Sequence, residues 1–135
     1  MAGINTAGAT FGANLLLNFE LGGATVTASS PAQRALGLAT GVPVIGTFAE
    51  IGTASGYSRI IATFSAASAG TTFNLNNMTF GPFSAACTIQ GMHVWDTTAA
   101  TAGNNLRFGT VTAARAISSG DSVIFNSGSL ICTLS

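Results

Sequence analysis

Seven side chains hold most of the reactive chemistry of this chain: Cys87, Cys132, His93 and the carboxylates Glu20, Glu50, Asp96 and Asp121. A zinc site would draw on both cysteines, the single histidine and one acid, yet no close C-x-x-C or H-x-x-H pair pre-organises such a set. Nucleophilic catalysis needs a base beside a nucleophile, and no G-x-S-x-G occurs; the serines near glycine fall in turn-like stretches. Glycoside hydrolysis needs two carboxyl groups at a set separation. Here Glu20 falls in a candidate helix, while Asp96 and Asp121 fall where strands run into turns, the ordinary place for aspartate. Phosphate-binding loops are missing too, since neither G-x-x-x-x-G-K nor G-x-G-x-x-G is present and the chain has no lysine. The residues therefore point to no catalytic centre, metal or cofactor. Cys87 and Cys132 sit among apolar neighbours in strand-like runs, which reads as two packed free thiols, with a disulfide as the alternative.

The elements that would position these groups are mostly strands. From residue 24 onward, short runs rich in Val, Ile, Thr and Phe are broken every eight to twelve residues by Gly, Pro, Asn or Ser. Strands are expected at 24–28, 35–40, 57–64, 71–80, 86–96, 106–113, 122–125 and 130–134. Within 57–64, alternation places Ser58, Ile60, Ala62 and Phe64 inward and Tyr57, Arg59, Ile61 and Thr63 outward. Both faces of 88–96 are apolar, so that strand is central or lies at an interface. Turns are expected at 52–56, 66–70, 98–105 and 118–121. Upstream, Phe11, Leu15 and Phe19 recur at helical spacing between Thr10 and Gly22-Gly23, which predicts one short helix preceded by an arm. The expected fold is mainly β: a single-domain antiparallel β-sandwich or jelly roll of about eight strands, with arm and helix over 1–23 and the β body over 24–135.

Composition narrows the partners. Only 6% of residues are charged, 47% are hydrophobic, and the formal net charge is zero. Four arginines offset by four acids leave no basic stripe for phosphates, which argues against nucleic acid. The uncharged window 35–49 is too short to span a bilayer and contains Pro43, and the longer stretch 60–92 is interrupted throughout by Ser, Thr and Asn. No membrane segment is expected, nor a secretory or transit peptide. Ala, Gly, Ser and Thr supply 71 of the 135 residues. Such a neutral surface of small side chains favours association over repulsion, so an oligomer is expected. The candidate subunit and partner contacts are Phe11, Leu15 and Phe19 on the helix, Arg34, Arg59 and Arg107, which can pair carboxylates across an interface, and Phe83 beside the Gly81-Pro82 turn.

Four stretches, GYSRIIATFSAASAG at 56–70, MTFGPFSAACTIQGMHVWD at 78–96, AGNNLRFGTVTAAR at 102–115 and GDSVIFNSGSLICTL at 120–134, resemble a family of small tailed-bacteriophage virion proteins. Its members are described as head decoration or cement proteins and sometimes as fibre-like proteins. The resemblance implies that Tyr57, Arg59 and Phe64 share one strand, that Trp95-Asp96 end another, and that Gly109, Gly120 and Asp121 form turns. Arg107 departs from the aromatic usual before the family's F-G or W-G pattern. It also implies a non-enzymatic homotrimer on the capsid exterior, assembled in the bacterial cytoplasm, that locks the major capsid protein lattice. The alternative is a tail or neck fibre component contacting host glycans, with Tyr57 or Phe83 stacking on sugars.

Overall fold

A computed structural model describes residues 31–44, 48–100 and 102–133. Eight strands fall within them: β1 (Ala35–Ala39), β2 (Ile60–Ile61), β3 (Thr71–Phe73), β4 (Met78–Phe80), β5 (Cys87–Trp95), β6 (Asn105–Ile117), β7 (Val123–Phe125) and β8 (Ile131–Thr133). They form a four-stranded sheet ordered β2-β1-β5-β6 and two ribbons, β3-β8 and β4-β7. All pairings are antiparallel, so the mainly β antiparallel class expected from the sequence holds. The expected N-terminal helix and arm, the strand at 24–28 and the contacts Phe11, Leu15 and Phe19 lie outside the described residues.

β5 is central, as its two-sided apolar pattern requires. It pairs β1 from Ala35↔Trp95 to Ala39↔Gly91, and β6 on its other side. Gly91 lets Pro43 cross the strand closely: a Cβ there would stand 2.3 Å from Pro43 Cδ and Cγ. The β5–β6 ladder is irregular at two places, between Val94 and Trp95 and, more strongly, between Ile89 and Gly91. Ile89 faces Arg115 but Gly91 faces Thr110, so residues 111–114 bulge opposite Gln90. Gln90 instead turns its amide to β1, donating to the Thr40 carbonyl at 2.7 Å.

Four expectations are corrected. The run 71–80 is two strands, because its central asparagines bond backbone through their side chains. Asn74, fully buried, donates from Nδ2 to the carbonyls of Asn76 and Asn126 and accepts the Leu130 N–H at Oδ1. These bonds replace ladder bonds where β3-β8 gives way to β4-β7. Along 57–64 the alternation breaks at Arg59: Tyr57 and Arg59 are buried and Ser58 is exposed, whereas Ala62 inward and Ile61 and Thr63 outward agree with the expected faces. Regular pairing with β1 begins only at Ile60, so Tyr57, Arg59 and Phe64 do not share one strand. Gly109 lies inside β6, opposite Met92, and forms no turn. The turn at Gly120 and Asp121 is as expected: Gly120 has φ +91° and Asp121 Oδ2 accepts the Ser118 N–H.

The core gathers Leu36, Leu38, Met78, Phe80, Phe83 and Ile89. Tyr57 stacks on Phe80 with centroids 5.9 Å apart, an arrangement that contributes about 0.5–1.5 kcal/mol beyond burial alone.

Candidate functional site: a buried arginine and the turn it holds

Arg59 is the centre of the polar chemistry inside the described fold. Its side chain is buried against Glu50, with Nη2 2.8 Å from Oε2 and Nε 2.8 Å from Oε1, a bidentate pair. The remaining donors reach the turn that joins β5 to β6. Nη1 donates to the carbonyls of Ala99 at 2.6 Å, Ala102 at 3.1 Å and Thr97 at 3.3 Å, and Nη2 to Ala100 at 3.0 Å. The guanidinium also lies 4.1 Å from the Trp95 ring centre, within cation–π range. Asp96 completes the turn by accepting the N–H and amide of Asn104.

Tyr57 extends the cluster toward β1. Its hydroxyl donates to Glu50 Oε1 at 2.8 Å and accepts the Leu38 N–H at 2.8 Å. Burial, reinforced by the Glu50 charge, holds the phenol far above its ordinary range, so it stays a donor. His93 lies across from Gly37, where a Cβ would come within 2.3 Å of the imidazole Cε1. Its Nδ1 accepts the Trp95 indole N–H, which fixes the Nε2–H tautomer, and buried Nε2 finds no partner. Phe48 packs edge-on against His93, Trp95 and Phe108.

Burial lowers the His93 pKa from 6.5 to about 4. The unfolded chain therefore takes up this proton before the folded one does. The resulting contribution is complete above pH 6.5 and is lost as the pH falls from 6.5 toward 4, on the order of 3 kcal/mol in all. Urea midpoints should decline over that window, and His93→Gln should flatten the decline.

This arrangement suits positioning rather than turnover. Every atom of the Glu50–Arg59 pair that can bond is engaged within the fold, and no group of three or more His, Cys, Asp or Glu among the described residues could hold a metal ion. The two cysteines are free, as read from their setting, and burial raises both thiols, against which Arg107 pulls Cys132 down. Neither has the lowered pKa of an activated nucleophile.

The sequence-derived contacts are scattered by the fold. Arg59 meets its carboxylate inside the protomer and Phe83 is 1% exposed, so neither side chain is presented at the surface. Phe83 turns inward because its N–H donates to the Asp121 carbonyl and its carbonyl accepts the Gly120 N–H. Tyr57 is buried as well, which removes it and Phe83 from any stacking on sugars. Arg34 is half-buried just before β1, and Arg107 is half-buried on β6, donating to the Leu106 carbonyl. Sequence reasoning missed Glu50, Tyr57 and Gly37 as partners of this cluster. The available signal was charge poverty: an arginine in an apolar run of such a chain needs a carboxylate, and Glu50 stands nine residues before it.

What the fold does present is an uncharged apolar face. Phe73 on β3 stands opposite Ile131 on β8, Leu75 lies two residues beyond Phe73, and the Leu75 N–H donates to the carbonyl of Thr63, beside Ile61. Ile61, Phe73, Leu75 and Ile131 are 49%, 43%, 53% and 53% exposed, while their inward neighbours Ala62, Asn74 and Leu130 are buried. No helix among the described residues is long and apolar enough to cross a membrane.

Residues 7–133 match the model of a family described as podophage GP4 fiber I protein gp80. The chain belongs to that family. It is thus a phage virion structural protein by kinship, with the match running through both the arginine cluster and the apolar face. No curated protein matches the chain.

Proposed function

We propose that this member of the gp80 family is a non-enzymatic building block of the phage fibre, a homotrimer whose protomers meet through the uncharged face of Ile61, Phe73, Leu75 and Ile131. The observation that carries the placement is the family match over residues 7–133. A second copy is the fitting occupant of the face because this face, like the chain as a whole, offers no net charge to repel or select a charged partner. The buried cluster supports a mechanical role: it spends the buried charges on holding one turn rigid instead of exposing them to a substrate. Repetition of weak contacts along an assembly gives large total stability by effective concentration.

Head decoration is the second reading, supported by the resemblance of residues 56–134 to decoration and cement proteins. There the trimer would bind the major capsid protein lattice from outside and stabilise the assembled shell by mass action.

Light scattering coupled to size-exclusion chromatography tests the self-association. The full chain should elute with the mass of three protomers, and Leu75→Asp combined with Phe73→Glu should give a folded monomer. A monomeric parent chain, or a trimer indifferent to both substitutions, would contradict the proposed face.

A further inference from the structure

We propose that His93, Trp95 and Arg59 form an acid-operated latch on the turn between β5 and β6, which opens when His93 takes up a proton. Among the described residues, the turn's hydrogen bonds to the body of the fold run through Arg59. Its carbonyls at Thr97, Ala99, Ala100 and Ala102 all converge on one guanidinium, whose flat face rests on Trp95. Trp95 in turn is oriented by donating its indole N–H to His93 Nδ1. That bond exists only while Nδ1 carries a lone pair. Protonation turns Nδ1 into a donor facing another donor, so the indole must leave it, and the support under Arg59 goes with it.

The surroundings leave His93 no easy refuge as a cation. Of the charged and titratable groups around it, Glu50 already accepts from Tyr57 and twice from Arg59, Arg59 is itself positive, and Tyr57 is held as a neutral donor. Phe48 supplies a ring edge, the backbone opposite is the close-packed Gly37, and burial outweighs the favourable pull of the Glu50 charge and the Leu38 backbone. The sheet itself depends on none of these bonds: β1, β5 and β6 keep their ladder when the indole swings out. Opening is therefore local, confined to Trp95 and the turn.

The chain has a single tryptophan and a single histidine, so each reports unambiguously. Trp95 emission, far-UV circular dichroism and the His93 imidazole proton resonances would be followed on the full chain from pH 7 to pH 3. The expected result is a red shift of Trp95 emission with a midpoint matching the His93 titration, near pH 4, while the β signal stays native. His93→Gln, neutral throughout, should abolish the shift. An unchanged Trp95, loss of the β signal in step with the Trp95 change, or a mismatch between the Trp95 and His93 midpoints would overturn the latch. Persistence of the shift in His93→Gln would also overturn it. If that variant does not fold, the comparison of the two midpoints in the parent chain decides.

Discussion

Arg59→Ala is expected to lower the unfolding free energy by about 3–5 kcal/mol, the cost of leaving a buried charge without its partner. Glu50 would keep its carboxylate without a counter-charge, with the Tyr57 hydroxyl still donating to it. Four turn carbonyls would lose their shared donor at the same time. Chemical denaturation read by far-UV circular dichroism measures the loss directly. Glu50→Gln should be costly too, since the amide keeps one acceptor oxygen but turns an N–H toward a donor and leaves the guanidinium without its counter-charge. The double variant Glu50→Gln with Arg59→Ala should cost less than the sum of the two, because the residues form one network. A loss below about 1 kcal/mol for Arg59→Ala would place the pair among weak surface bridges.

Gly37→Ala is the second large expectation. A methyl group at Gly37 would sit 2.3 Å from His93 Cε1, 2.6 Å from Nδ1 and 2.8 Å from the Tyr57 hydroxyl. None of these is the free end of a flexible side chain. His93 is tied to Trp95 and flanked by Phe48, while Tyr57 is bonded to both Glu50 and Leu38. Overpacking of this kind costs about 1–3 kcal/mol, and the rigidity of all three neighbours puts it at the upper end. In a His93→Ala background the same substitution should cost much less, since the imbalance of volume then runs the other way. Additive losses in the double variant would show that Gly37 matters for some reason other than room for the imidazole.

Both effects rest on contacts that were only half legible in the amino-acid order. The β class follows from short Val, Ile, Thr and Phe runs, the placement of β5 at the centre or an interface from apolar residues on both its faces, and the turns at 52–56 and 118–121 from Gly, Ser and Asp, all of them local signals. The interruption at Asn74 is not local. Its side chain replaces ladder bonds to residues more than fifty positions away, and no run of residues announces that. Arg59 was legible as a residue that wants a carboxylate, but the choice between a neighbouring subunit and Glu50 of the same chain depends on where the loop before Tyr57 folds back. For the same reason alternation misplaced Tyr57 and Arg59: hydrogen-bond partners, and not a strand's period, decide which way they face. Phe83 looked like an exposed anchor because it follows Gly-Pro, yet two backbone bonds to the 120–121 turn fold it inward.

The apolar face of Ile61, Phe73, Leu75 and Ile131 was equally hidden, since it is assembled from three separate stretches whose exposed positions coincide only once β3 and β8 pair. Its lack of charge connects the composition of the whole chain to one place on its surface, and through it to the assembly proposed here.

The most direct measurement is immunogold electron microscopy of purified phage particles with an antibody raised against this chain. Label on the fibres is the predicted result. Label spread over the head would contradict the fibre placement in favour of decoration, and particles that carry no label at all would contradict a structural role in the virion.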